Sequence, residues 1–513
     1  MVRGWRVFWV PAGRSVVSKR LRVLGGWDGL AEDEERAGVR PGTPILLSPD
    51  CQIDGRLARF LVRSPFARLE QETKRNYATD YCVFFDFLWR RDKNWDEAGP
   101  DDLWDFEDWR TRSLSNPRRI GGARWNRGLA ALGRLYSWAV KQGYMSVSPI
   151  ETREVAGRHG QAVTVPAARA KDARSSDVRW LTPRLFRRWV DVGLRGFSAD
   201  GGPGAAWGGR MEDRNSAFAN LLFSSGLRLA EAASLLTIEI PQSEIGHRRY
   251  YSGRLAPVVT KSKRARTFYM AAPVVAEIEA YCDAGRARAI RRAQRQGRYD
   301  VLPRMRLVTS VSGHRMKVFH WRDRDGMLGE TALARASVEE RAILFTDGPE
   351  GPEPLWLWLN ESGLPFRPAS WEGVFRTATE RCAKILSGAM GDAPFCTPHM
   401  CRHSFALFML VALHHAMDVR LGLTPKERRD FRLLYGDPWR MVQDLLGHAD
   451  VETTRRIYLA PVSDLQLHSL ISSPAPGSGA PEGGAADDVS WILARLAAET
   501  GTIQDLIDDE DPL

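Results

Sequence analysis

The sequence lacks any apolar run long enough to cross a bilayer as a helix, which requires roughly 20 consecutive apolar residues. Its most apolar stretch, residues 404–413, is followed directly by His414 and His415, which favours a buried core helix. Residues 1–14 lack the apolar core that a secretory signal peptide needs. None of the six cysteines forms a CxxC pair, so we expect reduced thiols. These absences predict a cytoplasmic protein with no membrane partner.

Positive charge is in excess but unevenly distributed. The chain carries 73 Lys+Arg against 63 Asp+Glu, a net charge of +10. Residues 471–513 hold nine acids and one base, a net charge of −8, so the other residues carry about +18 (10 minus −8). Such an excess favours a polyanionic partner, although a soluble protein with a charged surface also accounts for it. Only 10 of the 73 bases are lysines, which suggests a GC-rich genome.

A chain of 513 residues is too long for one core and predicts two or three domains. Residues 1–55 form a segment of unknown role, with one strand-like piece at 6–10. Residues 56–150 show helical periodicity and predict a small all-α domain. Residues 151–178 have little periodicity and are interpreted as a linker.

A second domain is expected over 179–470. Its pattern is mainly helical, with two strand-like runs that flank the polar KSK turn at 261–263 and predict one hairpin. Two regions, near 285–345 and 416–436, are longer than a minimal domain of this pattern requires. Arginines cluster at the start of the first region. They form either a solvated helix face or a contact with the DNA backbone. Residues 471–513 read as a flexible tether followed by an acidic amphipathic helix.

The stretch TPHMCRH at 397–403 places a histidine and an arginine at the start of the most apolar helix. Thr397 can cap this helix and Pro398 can occupy its first turn, so His399 and Arg402 share one face. Unpaired backbone N–H groups at a helix start favour an anion. A capping histidine with a surface arginine is equally consistent. His399 and His403 are four residues apart but lack a third ligand, so no metal site is expected.

Two further motifs carry the same residue types. In SGLRLAE, a glycine break places Arg228 at the start of a helix with Glu231 one turn later, and a salt bridge between them would explain both. In LLGHADVETTRRIY, His448 follows the end of a helix and Tyr458 comes ten residues later.

Taken in order, these motifs resemble the tyrosine recombinase (phage integrase) family over about residues 58–465. The resemblance implies a mainly α fold with a small antiparallel sheet. It also implies a two-domain DNA clamp, in which a helical core-binding (SAM-like) domain at 56–150 precedes the catalytic domain at 179–470.

The resemblance also implies the chemistry. Tyr458 would attack the scissile phosphate, Arg228 and Arg402 would hold its non-bridging oxygens, and Lys261 would protonate the leaving 5′ oxygen. His399 and His448 would donate further hydrogen bonds or move the tyrosine proton. No cofactor or metal is needed, since two arginines supply the positive charge. Lys263, two residues after Lys261, is the alternative acid.

Double-stranded DNA is the expected partner, and the working unit is expected to be a homotetramer, aided by an accessory DNA-bending or directionality factor. The role would be integration or excision of a mobile element or plasmid in a prokaryotic cytoplasm. Two alternatives remain: a topoisomerase or resolvase with the same chemistry, and a DNA-binding regulator that has kept the fold. The expected DNA contacts are Arg68, Thr73, Arg75, Asn126, Arg127, Lys263 and Arg266.

Overall fold

The structure is a computed structural model of the 513-residue chain. It describes residues 4–11, 36, 39–156, 161–170, 179–204, 207–241, 250–302, 304–313, 317–387, 393–415, 437–448 and 454–455. The chain divides into two compact units at Asp177/Val178. The region 416–436, expected to be an insertion, and the segment 471–513 lie outside the described residues. No described helix combines the length and apolarity that a membrane span requires.

The first unit is a helical bundle with a hairpin at each end of its sequence. Its elements are β1 (Arg6–Trp9), β2 (Pro44–Leu47), α1 (Gly55–Arg63), α2 (Gln71–Trp89), α3 (Pro100–Thr111), α4 (Gly122–Lys141), β3 (Thr152–Ala156) and β4 (Ala162–Pro166). The strands pair antiparallel as β1–β2 and β3–β4.

The core of this unit is aromatic, and two of its buried polar tips donate to backbone carbonyls. Phe84 packs on Phe106 with ring centroids 4.8 Å apart. Tyr81 donates to the Ala131 carbonyl at 3.0 Å, and Trp125 donates to the Ala168 carbonyl at 2.7 Å. Because Ala168 is buried in this core, the segment after α4 belongs to the first unit. Part of the segment interpreted as a linker therefore has regular structure.

The second unit begins with the following elements: α5 (Pro183–Trp189), α6 (Glu212–Ser225), α7 (Leu229–Ala233), β5 (Tyr250–Leu255), β6 (Arg266–Ala271) and α8 (Ala272–Tyr281). Strands β5 and β6 form the expected antiparallel hairpin around the KSK turn. The core of this unit contains fully buried tryptophans, and Phe218 stacks on Trp371 with ring centroids 3.5 Å apart.

The region 285–345 contains more strand than the sequence pattern predicted. It begins with α9 (Ala287–Arg295), followed by β7 (Arg306–Ser312), β8 (Val318–Asp323), β9 (Leu328–Ala332), α10 (Val338–Arg341), β10 (Leu344–Gly348) and β11 (Gly351–Pro354). The five strands form one sheet in the order β11-β10-β7-β8-β9, in which β10 and β7 are parallel. The fold is thus mainly α, with a mixed sheet in addition to the small antiparallel hairpins.

Three helices complete the described second unit: α11 (Trp371–Leu386), α12 (Pro398–His415) and α13 (Pro438–Leu446). Helix α12 contacts both α6 and α13, and α13 also contacts β6. This packing brings together the motifs that carry Arg228, Arg402 and His448.

Candidate active site

Three arginines from separate elements converge on the last turn of α13. The final carbonyls of a helix have no intrahelical partner and carry the negative end of its dipole, so they attract cations. Here three consecutive carbonyls each accept from one arginine: Leu445 from Arg266 Nη1 at 2.6 Å, Leu446 from Arg402 Nη2, and Gly447 from Arg228 Nη2 at 3.4 Å. One helix end therefore positions three guanidinium groups.

Glycine is required at the end of α13. Gly447 has φ +63°, a left-handed conformation that side chains rarely adopt. A Cβ at this position would also lie 2.8 Å from Arg266 Cδ. The turn leads directly to His448, whose backbone N–H donates to the Gln443 carbonyl at 3.1 Å.

Arg402 is almost fully buried, with 3% of its surface exposed. Thr397 caps α12, as expected, and its hydroxyl accepts from the Met400 N–H at 3.2 Å. Arg402 Nη1 donates to the carbonyl of Gly226, the residue that ends α6 with φ +63°. A surface location for Arg402 is therefore wrong, because its guanidinium joins the ends of two helices.

Glu231 is the described carboxylate that joins two of these arginines. It is 1% exposed and accepts from the Arg228 N–H at 2.8 Å, from Arg228 Nη1 at 3.0 Å and from Arg266 Nη2 at 2.6 Å. The salt bridge between Arg228 and Glu231 is thus present. Glu231 thus fixes two of the three guanidinium groups that meet at the end of α13, and guanidinium groups are donors that suit an anion.

The histidines lie in the same electrostatic neighbourhood. Desolvation lowers the pKa of His448 to about 3, aided by the charges of Arg402 and Arg228. His399 is exposed on the first turn of α12. Partial desolvation lowers its pKa, and the charges of Arg402, Arg228 and Lys261 lower it further. Both rings are therefore mainly neutral at pH 7, so each can donate one hydrogen bond and accept another.

His448 is also held by the hydroxyl of Thr454, a residue to which the sequence pattern assigned no role. Its Nδ1 lies 2.9 Å from the Thr454 hydroxyl, which is fully buried, and the donor depends on the ring tautomer. The next residue, Arg455, donates to Asp437 at 3.0 Å. These two contacts fix the chain just before Tyr458, which itself lies outside the described residues.

The two lysines of the β5–β6 turn differ in surroundings. Lys261 is exposed, and its charge acts on His399. Lys263 has φ +54°, and its Nζ donates to the Val258 carbonyl at 3.4 Å. The Thr260 hydroxyl lies 2.9 Å from both the Pro257 and Arg264 carbonyls, which orders a turn that has no glycine.

Arg266 was expected to contact DNA, yet its guanidinium is bound to Glu231 and to the Leu445 carbonyl. Only 9% of its side chain is exposed. The alternation along β6 places Arg266 on the same face as the buried residues Phe268 and Met270. The alternation of apolar residues along β6 was therefore the sequence signal that could have predicted the burial of Arg266.

The expected DNA contacts of the first unit fall into two groups. Arg68 and Arg75 are exposed, and Thr73 is half-buried. Asn126 makes a two-sided contact with the Ala170 backbone, at 2.9 and 3.1 Å. Arg127 donates to Asp80 from two nitrogens, at 2.9 and 3.1 Å. Asn126 and Arg127 therefore hold the unit together, whereas Arg68 and Arg75 face solvent.

His399 and His403 have ring centroids 4.2 Å apart. Desolvation lowers the pKa of His403 to about 4, with further contributions from His399 and Arg402. Within the described ranges, no group of three or more His, Cys, Asp or Glu side chains is arranged to hold a metal ion.

No protein-family model matches the sequence, and no curated protein matches it either. Among solved structures, the chain is similar to the XerH site-specific recombinase in a post-cleavage complex with palindromic difH substrate, at 13% identity and a TM-score of 0.40. It is also similar to XerH in a pre-cleavage complex with difH substrate, at 12% identity and a TM-score of 0.36. Each match covers 79% of this chain and 80% of the XerH chain.

A further match is XerA recombinase, at 15% identity and a TM-score of 0.30, covering 82% of this chain and 100% of that chain. With identities and TM-scores this low, the function has to be argued from the chain's own residues.

Proposed function

We propose that this chain is a tyrosine-type site-specific DNA recombinase, which cleaves and rejoins DNA through a 3′-phosphotyrosyl intermediate. The observation that carries the proposal is the convergence of Arg228, Arg266 and Arg402 on the end of α13, beside His448. A site with three oriented guanidinium groups and neutral histidines suits a phosphodiester. It stabilises the charge of the phosphoryl oxygens without reorganisation.

Arg228 and Arg402 are the proposed phosphate ligands. Each guanidinium has five N–H donors, so carbonyl and carboxylate contacts can fix its plane while other donors bind phosphoryl oxygens. Arg228 is 26% exposed in its side chain and is accessible to a ligand. Arg266 serves as a positioning residue, because Glu231 and Leu445 hold its terminal nitrogens.

In the proposed reaction, the Tyr458 oxygen attacks phosphorus and the bond to the 5′ oxygen breaks. Lys261 gives a proton to this leaving oxygen, and His448 or His399 accepts the tyrosine proton. The new tyrosyl ester conserves the energy of the broken phosphodiester, so a 5′-OH from a second strand can reverse the step without ATP. Tyr458 follows Thr454 by four residues, which limits their Cα separation to at most about 14 Å.

The proposed substrate is double-stranded DNA, and both units would contact it, with Lys263 at the rim of the site. Because exchange between two duplexes cuts four strands, the proposed working unit is a homotetramer. Integration or excision of a mobile element or plasmid in a prokaryotic cytoplasm, aided by an accessory factor, is the proposed role.

Covalent trapping tests this proposal. The DNA beside the gene is searched for a repeated core, and nicked duplexes that carry it are incubated with the protein. Wild type should give an adduct that survives a denaturing gel, whereas Tyr458→Phe should give none. Tyr250→Phe, at a tyrosine that is 66% exposed in the hairpin, is the matched control and should still trap DNA. An adduct formed by Tyr458→Phe would refute the assignment.

A further inference from the structure

Helix α9 carries four arginines on one face. Arg288, Arg291, Arg292 and Arg295 occupy positions i, i+3, i+4 and i+7, and each is exposed. Residues with this spacing lie side by side on a helix. From Arg288 to Arg295 the stripe is about 10 Å long, at 1.5 Å per residue.

The opposite face of α9 is used for packing. Ala289, Ile290 and Ala293 are buried, and the preceding Arg286 turns inward and donates to the Pro354 carbonyl. Unlike the buried Arg286, the four outward arginines face solvent, and none of them is ion-paired with a carboxylate within the part of the chain that the structure describes. Like charges one turn apart destabilise a helix, so this stripe is not explained by the stability of α9.

The stripe is separate from the candidate active site. Helix α9 packs against the turn that precedes it and against β11, whereas α13 packs against α12 and β6. The stripe and the end of α13 therefore lie on different elements of the second unit.

We propose that the arginine face of α9 binds the phosphate backbone of double-stranded DNA outside the segment held at the catalytic site. This proposal rests on the proposed function only for the identity of the polyanion. Duplex DNA carries one negative charge per about 1.7 Å of axis, so a stripe of about 10 Å can meet several phosphates. Contacts with phosphates alone carry no sequence information, so we expect binding without sequence preference.

The test measures binding of a random-sequence duplex by the full chain over a range of salt concentrations. One variant changes all four arginines to glutamine (R288Q/R291Q/R292Q/R295Q), and a second changes them to lysine. Glutamine and lysine have helix propensities close to that of arginine, so α9 should persist, which circular dichroism checks. A matched control removes four exposed charges from α5, from α11 and from the turn between β9 and α10 (R184Q/R187Q/R335Q/K384Q).

Each phosphate contact contributes about 0.9 to the slope of log affinity against log salt. We expect the glutamine variant to lose about 2–4 from this slope and at least about tenfold in affinity, whereas the lysine variant and the control lose less than about 1. Wild-type slope in the glutamine variant, or equal losses in the glutamine variant and the control, would overturn the proposal. A loss with single-stranded RNA but not with duplex DNA would also overturn it.

An effect of the glutamine variant that arises only after residues 471–513 are deleted would assign the stripe to this acidic segment and would likewise overturn the proposal. None of these measurements requires cleavage. Failure of the recombinase proposal, seen as trapping by Tyr458→Phe, is therefore distinguishable from failure of the α9 proposal.

Discussion

The arginines that converge on the end of α13 have the same side chain as the arginines of α9, but their surroundings differ in burial and in hydrogen-bond acceptors. Arg402 and Arg266 are at most 9% exposed and donate to carbonyls at helix ends, whereas Arg288 and Arg292 are exposed and have no carboxylate partner among the described residues. Burial has a cost, since desolvation lowers the pKa of Arg266 even though Glu231 opposes the shift.

This difference separates two kinds of anion site. A guanidinium fixed by carbonyls is oriented before the ligand arrives, so it can stabilise charge that develops at one position. A mobile, solvated guanidinium binds phosphate through charge alone and does so at many positions. The number of arginines in a segment thus does not reveal its function, whereas burial and acceptor geometry do.

The largest expected effect concerns Arg402. Arg402→Ala should reduce formation of the covalent DNA adduct by at least about a thousandfold, in the range of lost transition-state charge stabilisation. Arg402→Lys should recover little, because one ammonium group cannot donate to both Gly226 and Leu446 as the guanidinium fork does. Single-turnover trapping measures both. Near-normal trapping by Arg402→Lys would show that charge suffices and that the fixed geometry is not required.

A smaller effect separates the two lysines of the β5–β6 turn. Lys261→Ala should slow cleavage of ordinary DNA by about a hundredfold or more, the typical contribution of a general acid. A sulfur at the 5′ leaving position needs no proton, so such a substrate should restore cleavage by this variant. Lys263→Ala is the control and should cleave both substrates normally. Rescue by sulfur in Lys263→Ala instead would exchange the two roles.

Glu231 is expected to hold Arg228 and Arg266 in position and to stabilise the folded second unit. Glu231→Gln leaves Arg228 and Arg266 without their buried partner, and removal of one member of a buried ion pair costs about 3–5 kcal/mol. Glu380→Gln is a matched control, since Glu380 lies 3.9 Å from Arg376 and both side chains are exposed. The control should change the free energy of unfolding by less than about 1 kcal/mol. Equal urea midpoints for the two variants would contradict the buried role of Glu231.

Local sequence signals predicted the elements that bear the site. Thr397 with Pro398 marked the start of α12, and the end of a helix was expected directly before His448, where α13 does end at Gly447. These signals act within one turn, so a sequence displays them directly. The hairpin β5–β6 was predicted for the same reason.

Contacts between distant segments were not predictable in this way. The parallel pair β7–β10 joins Arg306 to Leu344, and the register of β7 shifts between Val308 and Ser310, which breaks the alternation of that strand. The contact of Arg266 with the Leu445 carbonyl spans 179 positions in sequence. No local pattern encodes such a meeting, so the place of Arg266 in the arginine cluster emerged only from the packing of β6 against α13.

Acid should destabilise the second unit through its histidines. The pKa values of His448 and His403 are lowered to about 3 and about 4, against 6.5 for an unperturbed histidine. Between about pH 4 and 6.5 the unfolded chain binds more protons than the folded chain, so stability is lost as pH falls through this window. The slope is at most about 1.4 kcal/mol per pH unit for each histidine.

Urea unfolding at pH 5 and at pH 7.5 measures this loss. The variant His403→Gln/His448→Gln should show a smaller difference between the two pH values than wild type. The comparison uses the pH difference rather than the absolute stability, because His448→Gln also alters the contact with Thr454. A variant with the full wild-type pH difference would show that these rings do not resist protonation.

The smallest expected effect repeats the contrast between paired and unpaired arginines in the first unit. Arg75 is exposed with no ion pair in the described ranges, whereas Arg127 lies 2.9 Å from Asp80. If α2 contacts a phosphate, Arg75→Ala should lower the salt slope of duplex binding by about 1 and leave the melting temperature unchanged. Arg127→Ala should do the opposite, at a cost of about 1 kcal/mol in stability, because its partner Asp80 is left half-buried. The opposite result would be a salt slope that falls with Arg127→Ala and not with Arg75→Ala. It would show that Arg127, rather than Arg75, contacts DNA and that a phosphate takes the place of Asp80 in the complex.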